Sequence, residues 1–235
     1  MAVGGVRPRA ALLDALGTLL WLEPPAPTLR RELAARLGVD VSEEAARAAV
    51  EAEIAYYRAH NLEGRDRAGL DDLRRRCAAV VRDVLGDIGR ELSLDDVLAA
   101  LLAALRFQPF PDVLPGLARL RGAGLPLVVV SNWDVSLHDR LAETGIAELV
   151  DGALASAEVG LPKPDPAIFA HALTMAGVPA AQAIHAGDSL REDVEGARAA
   201  GVEPVLVCRE GEPPPAARGV PTVGSLLELA ELVGA

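Results

Sequence analysis

The feature that most constrains the fold is the alternation that begins at Leu125-Pro-Leu-Val-Val-Val130. A continuous apolar, β-branched run of this kind reads as a strand buried on both faces, as strands of parallel sheets are. It is followed by a helix over 135–143 closed by Gly145 and a short strand near 152–154. Asp165-Pro166 then caps and opens a helix over 166–176, which Gly177 ends. A strand over 183–186, a helix over about 190–200, a strand over 204–208 and a helix over 225–232 complete the series. Strands separated by helices imply an α/β fold with a doubly wound parallel sheet, covered on both faces.

The first strand of that sheet is carried by the run from Arg9 to Leu20, which a single carboxylate, Asp14, interrupts ahead of Gly17. Asp14 falls at the carboxyl end of the strand, where open α/β sheets gather their ligands. A carboxylate there can serve as nucleophile, as metal ligand or as both, and it can equally start a turn before Gly17. Between the two strands the composition is helical. Glu23-Pro-Pro-Ala-Pro27 breaks the chain, a helix over 28–37 ends at Gly38, and Ser42 caps a helix running to His60. Further helices are expected over 70–85 and from Ser93 to about Leu105, with no strand among them. The chain thus divides into an α/β core, 1–21 with 107–235, and an α-helical insert, 22–106.

Composition narrows the partners. With a net charge of −11 and no basic stripe, a nucleic-acid partner is excluded. Arg7 and Arg9 precede an apolar stretch that Asp14 breaks, that is too short to span a bilayer and that lacks a small-residue cleavage site. These features lead to the expectation of a soluble, cytoplasmic protein with no membrane partner. Cys77 and Cys208, far apart and without metal-ligand spacing, read as reduced thiols. Of 23 basic residues only Lys163 is a lysine, so a lysine has been kept there against a strong bias to arginine.

Three more stretches carry candidate chemistry. Ser131-Asn132 ends the Val128–Val130 run, where a hydroxyl can bind a phosphate oxygen or cap a helix. Gly160-Leu-Pro-Lys163-Pro-Asp-Pro166 holds the lone lysine between two prolines, a stiff mount for a point charge aimed at phosphate. Gly187-Asp188-Ser-Leu-Arg-Glu-Asp193 sets two carboxylates where they can share a hard cation, although Asp193 could also complement a helix N-terminus. His60, His138, His171 and His185 form no triad or ligand spacing, and His185 reads as structural.

Taken together, these stretches resemble the four motifs of the haloacid dehalogenase-like (HAD) superfamily. Asp14-Ala-Leu16-Gly-Thr18 resembles its Asp-x-Asp-x-Thr motif, and Ser131, Lys163 and Gly187-Asp188 with Asp193 resemble the other three. The insert corresponds to the C1 helical cap of subfamily I. Ser131-Asn-Trp-Asp134 with Gly160–Pro166 looks most like the group of haloacid dehalogenase-like domain-containing protein 3. The resemblance implies a Rossmann-like core and a Mg²⁺-dependent phosphatase acting on a small phosphorylated metabolite through an aspartyl-phosphate. Asp14 and Lys163 would be catalytic, and Ser131, Asn132 and Lys163 would bind phosphate. Asp14, the Leu16 carbonyl, Asp188 and Asp193 would hold the metal.

One position departs from the motif. Leu16 stands where the family's phosphatases carry the general acid/base, a function worth on the order of 10²–10⁴ in rate, so a phosphatase of this kind would be either slow or dependent on another base such as Glu23 or a residue of the helical insert. Two other readings therefore stay open. One is a 2-haloacid dehalogenase-type hydrolase, a group that typically has Ser-Asn in place of Gly187-Asp188 and binds no metal. The other is a catalytically impaired protein with a binding or regulatory role. Substrate and oligomeric state are not legible in the sequence.

Overall fold

The computed structural model describes residues 8–235, so Arg7 and the first residues of the 1–21 segment lie outside it. The chain forms two compact units, one built from residues up to Trp21 with Gln108–Ala235, the other from Leu22–Phe107. Among the described residues eight strands occur: β1 (Ala10–Leu13), β2 (Leu20–Leu22), β3 (Phe107–Pro109), β4 (Leu127–Ser131), β5 (Gly152–Ala155), β6 (Ala183–Gly187), β7 (Glu203–Val207) and β8 (Thr222–Val223). Six make one sheet in the order β5-β4-β1-β6-β7-β8, every pairing parallel. This is the doubly wound α/β sheet that the strand–helix alternation predicts. The order reverses at β1, with β4 on one side and β6 on the other, and such a reversal opens a crevice at the carboxyl ends of the strands.

The residues of β1, β4 and β6 are buried throughout, which explains their largely apolar character. One face of the sheet packs Leu12, Val128 and Val130 against Ile168, Phe169 and Ala172 of the helix Pro166–Ala176. With aromatics only 3% of the chain, Phe169 is the rare large ring in an otherwise aliphatic core. Elsewhere the helix Val113–Gly122 meets the helix Leu226–Val233 so closely that a Cβ on Gly116 would lie 2.5 Å from the Leu226 Cβ.

The sequence extends the first strand toward Leu20, but β1 stops at Leu13 and the chain turns, with Leu16 forming a bridge to Leu20. Neither β2 nor β3 is signalled by any apolar pattern. They pair as a two-stranded ribbon where the chain passes from one unit to the other. The Phe110 N–H donates to the Leu19 carbonyl at 3.2 Å and the Glu23 N–H to the Arg106 carbonyl at 2.9 Å. The single helix expected over 190–200 is also divided. Leu190–Glu195 is a π-helical turn, and only Gly196–Ala199 is α-helical.

The second unit contains the helices Pro25–Leu37, Glu43–His60, Arg67–Val84, Gly86–Arg90 and Leu94–Ala104. Ser42 and Ser93 cap their helices by accepting the N–H of Ala45 and Asp96, each at 3.1 Å. Leu29, Leu33, Leu73, Val81, Val97 and Leu101 fill its interior. Glu53 is buried there too, and its burial pushes the carboxyl above the usual range while a hydrogen bond from Cys77 works against that. Among the described residues, no helix is long and apolar enough to cross a membrane.

Candidate active site

Strand register assembles the site. Leu13 is opposite Val129 on β4 and Ala186 on β6, so Asp14 leaves β1 beside the carboxyl ends of both neighbouring strands. The Asp14 N–H donates to the Ala186 carbonyl at 2.9 Å, which extends the ladder by one rung and fixes the Asp14 backbone. Ser131 closes β4, and Asp188 follows Gly187 at the end of β6. Two glycines make the approach possible. Gly17 has φ +87°, and a Cβ on it would lie 2.2 Å from an Asp188 carboxylate oxygen. A Cβ on Gly187 would lie 2.1 Å from the Asp193 carboxyl carbon.

Lys163 links the carboxylates. Its Nζ lies 2.6 Å from Asp14 Oδ1 and 2.6 Å from Asp193 Oδ1, with the side chain only 1% exposed. Ser131 Oγ donates to Asp14 Oδ1 at 3.0 Å. Among the described residues nothing donates to Asp14 Oδ2, so one oxygen of this carboxylate is held and the other is free. Asp193 accepts the Ser189 N–H on Oδ2 at 2.9 Å. The π-helical turn allows this, because its extra residue lets the Asp193 side chain fold back onto Ser189. Asp14, Asp188 and Asp193 each present an oxygen within 4.8 Å of the others. Three converging carboxylates form a hard, all-oxygen donor set that suits Mg²⁺, Ca²⁺ or Mn²⁺.

The model of haloacid dehalogenase-like hydrolases matches residues 8–201. The chain belongs to the haloacid dehalogenase-like hydrolase family. It is 48% identical over 93 residues to haloacid dehalogenase-like hydrolase domain-containing protein 3 of Bos taurus, covering 38% of this chain and 37% of that protein. It is 37% identical over 103 residues to glyceraldehyde 3-phosphate phosphatase of Methanopyrus kandleri, covering 43% and 44%. The chain thus spans less than half the length of either relative. A solved structure, 2-haloacid dehalogenase from Pseudomonas syringae pv. Tomato DC3000, superposes with a TM-score of 0.68 at 25% identity, over 96% of this chain and 98% of that one.

The electrostatics of this hydrolase follow from burial and from the one ammonium. Burial pushes Asp14 above the usual carboxylate range, and the Lys163 charge only partly offsets it. Burial also pushes Asp193 up, but Lys163 and the imidazole of His185 outweigh it and hold that carboxyl well below the usual range. Asp188 is pushed up to about 7, first by loss of water and then by the like charges of Asp14 and Asp193. Lys163 is drawn down by burial and up by its two carboxylates, and the carboxylates win. A further positive charge beside Asp188 would relieve the repulsion, so the residues present fit a bound divalent cation.

Not every residue sits where the sequence put it. The side chain of Asn132, expected on the phosphate, is engaged with the Lys163 backbone. Its Nδ2 donates to the Lys163 carbonyl at 3.0 Å, and its Oδ1 accepts the Lys163 N–H at 2.7 Å. The same Nδ2 lies 3.1 Å from Glu192. His185, wholly buried, has Nε2 2.8 Å from Asp193 Oδ1, its ring edge-on to Phe169, and no partner for Nδ1 among the described residues. The signal for it was available, since it is the one polar side chain inside the β6 run. Arg209 had no signal. It stacks over Phe110 at 4.1 Å, donates to Asp112 at 2.5 Å and to the Thr18 carbonyl, and so braces the loop that follows Asp14. In the stretch from Asp14 to Leu20, Leu16 is the one exposed side chain, at 38%.

Proposed function

We propose that this hydrolase is a Mg²⁺-dependent phosphatase of small phosphorylated metabolites, with Asp14 as nucleophile and the helical unit as a C1-type cap. The observation that carries the reading is the convergence of Asp14, Asp188 and Asp193 around a single buried ammonium. Ser131 and Lys163 hold Oδ1 of Asp14, which leaves Oδ2 to attack phosphorus. The same two donors serve the phosphoryl oxygens as charge moves onto them, and positioning with charge stabilisation is most of what phosphoryl transfer requires. Asp193 anchors Lys163 from the opposite side, and Asn132 fixes the Lys163 backbone rather than touching the phosphate. Asp14, Asp188, the Leu16 carbonyl and Asp193 would hold the Mg²⁺, which when bound neutralises phosphoryl oxygens.

The carboxylate cluster also favours this reading over a metal-free haloacid dehalogenase, whose chemistry has no use for Asp188. The phosphatase named among the relatives supports the same class. The test is phosphate release from a broad panel of phosphate esters with and without Mg²⁺, for wild type and Asp14→Asn. Metal-dependent release that the substitution abolishes supports the proposal. Halide release from 2-haloacids without metal would overturn it.

A further inference from the structure

The Leu16 position, read with the groups around Asp14, bears on which phosphates this site can cleave. This inference rests on the phosphatase reading above. When Asp14 Oδ2 bonds to phosphorus, the bond from phosphorus to the leaving oxygen breaks, and the electron pair departs on that oxygen. An alkoxide needs a proton at that moment; a carboxylate or an acidic phenolate does not.

Among the described residues, the side chains that touch Asp14 or its partners hold their protons in other contacts, and Asp188 would be occupied by the metal. Lys163 Nζ is held between Asp14 and Asp193 at 2.6 Å from each. Ser131, whose Oγ donates to Asp14 at 3.0 Å, is itself an alcohol and no more acidic than the alcohol it would have to release. The amide of Asn132 is taken by Lys163 and Glu192. His185 is fully buried behind Asp193. The only side chain the Asp14–Leu20 loop offers to solvent is the isobutyl group of Leu16. That loop is pinned by the bridge from Leu16 to Leu20 and by the 2.7 Å hydrogen bond from the Gly17 N–H to the Leu20 carbonyl. An exposed apolar side chain thus stands at the position where the family's phosphatases carry their proton donor.

We propose that the substrates are phosphoryl compounds whose leaving group departs as a stable anion, acyl phosphates foremost and aryl or enol phosphates next, and that simple alkyl phosphates are poor substrates. A second consequence follows for the covalent intermediate. To regenerate Asp14, water must attack phosphorus, the bond to the Asp14 oxygen must break, and the water proton must pass to solvent. Within the Asp14–Leu20 loop no side chain can take that proton, and we take this step to be slow, so that the aspartyl-phosphate accumulates.

The experiment is rapid-mix kinetics at saturating Mg²⁺ with acetyl phosphate, 4-nitrophenyl phosphate, phenyl phosphate and glycerol phosphate. The expected result is a steep fall of kcat/KM as the leaving group becomes less acidic. A burst of 4-nitrophenolate equal to the enzyme is expected too, with intact mass showing one added phosphoryl group. Leu16→Asp should raise glycerol phosphate turnover by on the order of 10²–10⁴ and remove the burst, with a far smaller gain on acetyl phosphate. If that variant does not fold, the wild-type slope and burst still answer the question. Glycerol phosphate cleaved as fast as phenyl phosphate, with no burst, overturns the substrate assignment while leaving the phosphatase reading intact. A Glu192→Gln loss confined to alkyl esters would also overturn it, by identifying a donor that stands in for Leu16. Release from no member of the panel overturns the phosphatase reading first and this one with it.

Discussion

Replacing Lys163 by methionine tests the electrostatic heart of the site without changing the length of the stem. The substitution removes two ion pairs of 2.6 Å from an interior where the ammonium is 1% exposed and its partners are 8% and 2% exposed. Breaking a buried pair by deleting one member typically costs about 3–5 kcal/mol, because the other charge is left without compensation. Ser131 still donates to Asp14, and His185 and Ser189 still serve Asp193, which places the expected loss near the lower bound, about 3 kcal/mol. At about 2–4 °C per kcal/mol for a chain of this size, the melting temperature falls by about 6–12 °C. The pH dependence has a definite sign. Without the ammonium, burial raises both carboxyls above their unfolded values, so the folded state holds protons that the unfolded state has lost. The deficit therefore grows as pH rises through that window and shrinks as pH falls. Guanidinium unfolding of both proteins at about pH 5 and about pH 8 measures it. A deficit under about 1 kcal/mol near neutral pH, or one that widens toward acid, would refute the argument.

Three further substitutions probe other parts of the molecule. Gly17→Ala places a methyl 2.2 Å from an Asp188 oxygen at φ +87°; it should lose about 1–2 kcal/mol and weaken Mg²⁺ binding, read from thermal melts across a Mg²⁺ titration. Glu53→Gln removes a buried carboxyl whose raised pKa makes stability fall as pH rises through the folded-state value; the variant should exceed wild type by about 1 kcal/mol at about pH 8 and match it at about pH 4 in urea melts. Arg209→Gln breaks the pair with Asp112 and the bond to the Thr18 carbonyl; about 2–4 kcal/mol should be lost, with a fall in kcat because the loop after Asp14 loosens.

Much of the sheet was legible because its strands announce themselves. The Leu127–Val130 run is apolar throughout, and the helix Pro166–Ala176 carries both its Asp165 cap and its Gly177 stop, so its limits coincide with those read from the sequence. The lone lysine and the carboxylates at strand ends pointed to one site because strand ends in a parallel sheet converge. Other features were silent for physical reasons. β2, β3 and β8 are two or three residues long, too short for any periodicity, and exist because a distant partner supplies their hydrogen bonds. The π-helical turn follows from where the Asp193 carboxylate must point, which local propensity does not encode. Asn132 looked like a phosphate ligand because its amide could do that work, and only the position of the Lys163 backbone reveals its other engagement. His185 and Arg209 act on residues brought near by folding alone, and Arg209 lies 191 positions from the Thr18 carbonyl that it holds.

The β2–β3 ribbon carries an architectural consequence. Its outgoing and returning segments run antiparallel on shared rungs, from Leu19 with Phe110 to Glu23 with Arg106. Partners across such a rung stand about 5 Å apart, a gap that a two-residue hairpin turn spans. The helical unit can therefore be treated as a cassette. It can be shortened, lengthened or exchanged for a foreign insert without re-threading a single strand of the six-stranded sheet.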